Sequence, residues 1–84
     1  METKNIIICS SMNNKIKEFL ESYSEENLKF TFLKIIDPLK IAFKVYTDEN
    51  DNEKLVRKIK DLIKSTTFGS ILYFSVIVDD TVNN

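Results

Sequence analysis

Cys9 is the side chain whose position in this sequence could make it reactive. It closes the β-branched run Asn5–Cys9 and precedes Ser10, Ser11 and a helical pattern that starts near Asn13. A thiol just before a helix lies at the positive end of the helix dipole, which favours the thiolate. A thiol-dependent enzyme or a phosphocarrier using Cys9 is therefore one reading. The neighbouring residues weigh against it. No glycine follows to let backbone N–H groups wrap a phosphate. A Cys-x5-Arg phosphate loop fails at position 15, which is Lys, a poorer bidentate clamp. Cys9 is expected to be a small structural residue.

The acidic run Asp48–Glu53 invites a calcium reading, because Asp48, Asn50 and Asn52 have 1-3-5 spacing. An EF-hand loop then requires Gly at its sixth position and Glu at its twelfth. Those positions are Glu53 and Ile59, so the run is expected to be a solvated loop that caps a helix. The chain has no histidine and one cysteine. It lacks the commonest general base and metal ligand, and it can form no disulfide within itself. No Ser/His/Asp set, nucleotide-binding loop or metal-ligand cluster is marked. No catalytic residue, cofactor or metal is assigned, and the protein is expected not to be an enzyme.

Aromatic and basic residues on strands are the remaining candidates. Phe30, Phe32 and Tyr46, with Lys34 and Lys44, could stack on and neutralise single-stranded nucleic acid. Recognition by aromatics on two central strands would need such residues in the first strand too, and Asn5–Cys9 has none. The net charge also argues against nucleic acid: 12 Lys and Arg against 13 Asp and Glu give −1, whereas phosphate binding favours a positive excess. The basic residues of 54–64 are diluted by Glu53 and Asp61 and read as a solvated helix face.

The elements that would hold these residues are legible from periodicity. The chain of 84 residues is long enough for one domain, residues 1–84. Residues 5–9 form a first strand, apolar on both faces. Ile16, Phe19, Leu20 and Tyr23 make one stripe of a helix. Residues 29–36 and 40–47 form a hairpin about Asp37-Pro38-Leu39. Asn50 or Asp51 caps a second helix whose apolar face is Leu55, Val56, Ile59, Leu62 and Ile63. Residues 71–78 form a last apolar strand, and 79–84 a fraying tail.

The order β-α-β-β-α-β implies an α+β, ferredoxin-like sandwich. A four-stranded antiparallel sheet, ordered 4-1-3-2, would carry two helices on one face. This superfold hosts many functions and selects none. The first and last strands have more apolar residues than one helical layer can cover. In the hairpin, Lys34 is expected outward, because burying it unpaired costs several kcal/mol. Strict alternation then places Thr31, Leu33 and Ile35 inward and leaves Phe30 and Phe32 outside with Tyr46, whereas a tight two-residue turn at Pro38-Leu39 would pair Ile36 with Ile41 and reverse this strand. Ile71, Tyr73 and Ile77 join them on an open apolar face. Such a face marks an interaction surface, and a homodimer through it is the leading expectation. A different protein or a small molecule is the other possible occupant. No targeting segment or membrane-length apolar run is visible, and a cytoplasmic binding or regulatory protein is expected.

Overall fold

The helices begin and end where their chemistry changes. The structure, a computed structural model, describes residues 2–69 and 73–79. Helix α1 (Asn13–Ser22) buries Ile16 and Leu20 one turn apart, and Phe19 and Tyr23 pack beside them. Helix α2 (Asn52–Lys64) buries Leu55, Ile59 and Ile63 at four-residue spacing. Asp51 caps it, its carboxylate accepting from the Glu53 and Lys54 N–H groups at 2.9 and 3.3 Å. Glu53 in the first turn and Lys64 in the last both suit the helix dipole.

The strands are β1 (Glu2–Ser10), β2 (Ser24–Glu25), β3 (Leu28–Asp37), β4 (Lys40–Thr47) and β5 (Phe74–Val78). They form an open five-stranded sheet in the order β2-β3-β4-β1-β5, with every neighbouring pair antiparallel. The molecule is thus α+β, with two helices on a five-stranded antiparallel sheet. The sheet differs from the four-stranded expectation by β2. The chain leaves α1 at an extended Tyr23 and doubles back, so that Ser24 and Glu25 pair with Lys29 and Leu28.

One face of the sheet carries Ile6, Ile8, Phe43, Val45 and Val76 into a core shared with both helices. At about 25 cal/mol per Å², each large side chain buried there contributes roughly 1.5–3 kcal/mol. Phe30 and Phe32 lie on this face as well, which corrects the expected assignment of the hairpin. Phe30 is 8% exposed and stacks edge-on to Phe43. Phe32 is half-buried, also against Phe43, and the Lys17 ammonium lies 4.7 Å from its ring centroid. Thr31, Leu33 and Ile35, expected inward, are exposed.

The physical reason is a break in alternation. Phe32 pairs with Phe43, but Lys34 pairs with Ala42, so Leu33 is an extra residue in β3. This bulge turns Lys34 outward without requiring Phe30 and Phe32 to follow. A second shift lies between Ile35 and Asp37, before the two-residue turn Pro38–Leu39. There the Asp37 carboxylate accepts the Leu39 N–H at 2.8 Å.

Candidate functional site

Cross-strand partners share a face, so the register lays out the side of the sheet opposite the helices. Its rows are Lys29, Tyr46, Thr3; then Thr31, Lys44, Asn5; then Lys34, Ala42, Ile7, Ile77; then Lys40, Cys9, Ser75. The face is divided. On β3 and β4 it is basic, with Lys29, Lys34, Lys40 and Lys44 spread over four rows and Tyr46 beside Lys29. On β1 and β5 it is apolar, with Ile7 half-buried and Ile77 54% exposed. Tyr73, just before β5, is 95% exposed.

Of the residues expected to form an interface, the structure brings Tyr46, Tyr73 and Ile77 to exposed positions. Phe30 and Phe32 are withdrawn into the helical side for the reason given above. Ile71 lies outside the described residues, as do residues 80–84 of the expected tail. The tail's first residue, Asp79, is held by its N–H, which donates to the Asn5 carbonyl at 2.8 Å. The nucleic-acid set loses Phe30 and Phe32 but keeps Tyr46, Lys34 and Lys44. Lys29 and Lys40, whose side chains share that face, were not singled out in the sequence. The alternation of Lys40, Lys44 and Tyr46 along one strand was the available signal for Lys40.

Cys9 is half-buried and lies on the sheet face away from α1, because Ile8 and Ser10 take the inward positions. It lines a cleft of about 290 Å³ with Leu39, Tyr73, Phe74 and three serines, Ser10, Ser11 and Ser75. No charged side chain lines this cleft. Lys40 is its cross-strand partner, but the thiol lacks the helix-side position that the dipole argument for nucleophilic activation needs.

The acidic run has local structural work. The Thr47 hydroxyl accepts from the Glu49 N–H at 3.0 Å, Glu49 accepts from the Asp51 N–H at 3.1 Å, and Asp51 caps α2. The Lys4 ammonium donates to the Asn50 carbonyl at 3.1 Å and to the Asn52 side-chain oxygen. Among the described residues no group of three or more His, Cys, Asp or Glu could hold a metal ion. Among the same residues, no helix is long and apolar enough to cross a membrane.

Two features have no counterpart in the sequence reading. A groove of about 740 Å³ runs between α2 and β5, over Val56, Lys60, Lys64, Val76 and Val78. Among the described residues β5 pairs only with β1, so this groove borders an open sheet edge. The second feature is Asn13, 9% exposed, whose side-chain oxygen and nitrogen both lack a hydrogen-bond partner. An unsatisfied buried polar group costs about 1–3 kcal/mol. Nothing in the sequence separates Asn13 from its neighbour Asn14. No family model, no curated protein and no solved structure matches this chain.

Proposed function

We propose that this is a small, non-enzymatic binding protein of the cytoplasm that pairs with a second copy of itself through the apolar half of its open sheet face. The architecture is read as ferredoxin-like with one added edge strand: the four long strands run β5-β1-β4-β3 and both helices pack on one side. The observation that carries the reading is the outward pair Ile7 and Ile77 on β1 and β5, with the exposed Tyr73 further along the same edge, just before β5. Water contact at large apolar side chains forfeits roughly 1.5–3 kcal/mol each, which burial against a twofold-related copy recovers. A two-fold axis through this half leaves Lys29, Lys34, Lys40 and Lys44 at the rim, where like charges stay solvated. The single free thiol suits a reducing compartment.

Light scattering across low to high micromolar concentrations tests the reading. A mass rising to twice 9.8 kDa is expected, and Ile77→Lys should hold the protein monomeric. A 9.8 kDa species at every concentration would sink it.

The lysines of the basic half carry a second reading, a single-stranded nucleic-acid surface with Tyr46 as a stacking platform. Oligonucleotide binding that weakens steeply with salt and is lost in a Lys34→Gln, Lys44→Gln double variant would favour it over self-association.

A further inference from the structure

We propose that the corner of the sheet formed by the β3–β4 hairpin is a membrane-contact surface, which dips apolar side chains into an anionic bilayer while its lysines meet the lipid headgroups. Among the described residues, four of the seven large apolar side chains left exposed fall between positions 33 and 39: Leu33, Ile35, Ile36 and Leu39. The topology explains why nothing covers them. β2 pairs only with Leu28 and Lys29, so among the described residues β3 is an open sheet edge from Phe30 onward. The extra residues Leu33 and Ile36 break alternation and bring successive apolar residues to both sides of that edge. Ile35 pairs with Ile41, yet Ile41 is 3% exposed and Ile35 64%, so the helical layer stops short of the edge. The turn itself is held in place: the Ser10 N–H donates to the Leu39 carbonyl at 2.8 Å, and the Leu39 side chain stays 53% exposed.

Charge is sorted along the same axis. The register sets Cys9, Lys40 and the turn at one end of the sheet, and Leu28, Thr47 and the start of β1 at the other. The turn end carries three exposed lysines, Lys15, Lys34 and Lys40, with Lys15 in a cleft beside Pro38. Its acid, Asp37, lies 4.0 Å from the Lys40 ammonium and accepts the Leu39 N–H, so its charge is already engaged. The far end gathers Glu25, Glu26, Asp48, Glu49, Asp51 and Glu53 around Lys4, Lys29 and Lys54. The net charge of −1 conceals this separation.

The combination selects the occupant. Exposed apolar side chains alone would suit many partners. An apolar corner collared by lysines, with the acids gathered at the opposite end, suits an anionic lipid surface. Apolar groups enter the acyl boundary, ammonium groups reach the headgroups on long stems, and the acidic end turns to water. Contact of this kind is reversible and needs no spanning segment. Anionic lipids line the cytoplasmic leaflet, on the side where the protein is proposed to act. Ile7 and Ile77, the pair of the proposed dimer contact, lie on β1 and β5 and leave this corner free.

Co-sedimentation of the full chain with vesicles tests the surface. One set is phosphatidylcholine alone, the other an equal mixture of phosphatidylcholine and phosphatidylserine. Binding is expected to the mixed vesicles and should weaken as salt is raised. Ile36→Ser with Leu39→Ser should weaken it at least about tenfold. Lys34→Gln should weaken it about fivefold, and Lys29→Gln, towards the far end of the sheet, by less than about twofold. All four substitutions fall on exposed positions, and the lysine pair keeps the test alive if the double variant does not fold. The chain has no tryptophan, so Leu39→Trp adds a single reporter whose emission should move to shorter wavelength on the mixed vesicles. Tyr46→Trp, beside Lys29, should show no such shift. Equal binding to neutral vesicles, equal losses in the two lysine variants, or an unmoved Leu39→Trp emission would overturn the proposal. So would an absence of vesicle binding together with a lower particle mass in the double variant, which would assign the corner to contact between copies of the chain.

Discussion

Tyr23 shows how one short contact can set the ionisation of a surface group. Its hydroxyl donates to the Glu25 carboxylate. That hydrogen bond, then partial burial, then the negative charge of Glu25 push the phenol up from 10.0 to about 12. The raised value means that folding favours the protonated phenol. Below pH 10 the phenol is protonated in both folded and unfolded chains, and its stabilising contribution is whole. Between pH 10 and 12 the unfolded chain ionises first, and the contribution is lost as pH rises. Tyrosinate absorbance, taken as the difference between the parent and Tyr23→Phe, should place this titration near 12. Glu25→Gln should return it towards 10. A Tyr23 that ionises near 10 with Glu25 in place would refute the coupling.

At the scale of elements, the two ends of α2 are built differently and should fail differently. Asp51 satisfies two backbone donors at the start. Asp51→Ala should cost about 0.5–2 kcal/mol in urea unfolding, and Asp51→Ser should restore most of it. Past the C-terminus, the Gly69 N–H donates to the Thr66 hydroxyl at 2.8 Å, and that hydroxyl donates to the Ile63 carbonyl at 2.7 Å. A Cβ on Gly69 would lie 1.8 Å from the Ile63 oxygen. The neighbour is backbone, so a side chain cannot swing aside to relieve the clash. Gly69→Ala should destabilise the fold by about 1–3 kcal/mol, as overpacking does. An unfolding midpoint unchanged in Gly69→Ala would show that the turn relaxes freely.

For the whole molecule, self-association and stability are linked. A dimer that binds folded but not unfolded chains raises the melting temperature as protein concentration rises. That dependence is expected for the parent and should vanish in Ile77→Lys, whose outward position lets the fold survive. Cys9→Ser should leave both the fold and the concentration dependence unchanged, because the thiol lies in an uncharged cleft and bonds to nothing. A parent melting temperature independent of concentration would count against the dimer.

Periodicity along the chain was enough to locate the two helices, the four long strands and the Asp37–Leu39 turn, and to narrow the α2 cap to Asn50 or Asp51, of which the structure uses Asp51. These features depend on near neighbours: apolar residues every third or fourth position, alternation in strands, and a carboxylate before a helix. The inward position of Ile8 did not follow from the same patterns, because strand one is apolar on both faces. The facing of β3 did not follow, because it depends on where β3 breaks register with β4. A bulge at Leu33 lets Phe30 and Phe32 enter the core while Lys34 stays in water, an outcome strict alternation forbids. The interface candidates divided on that point: Tyr46, Tyr73 and Ile77 are exposed, and the two phenylalanines are not. The added strand β2, the four lysines on one face and the orphaned amide of Asn13 likewise arise from pairing and packing between distant segments. Local sequence encodes which elements form; only tertiary contact decided which of their side chains reach water.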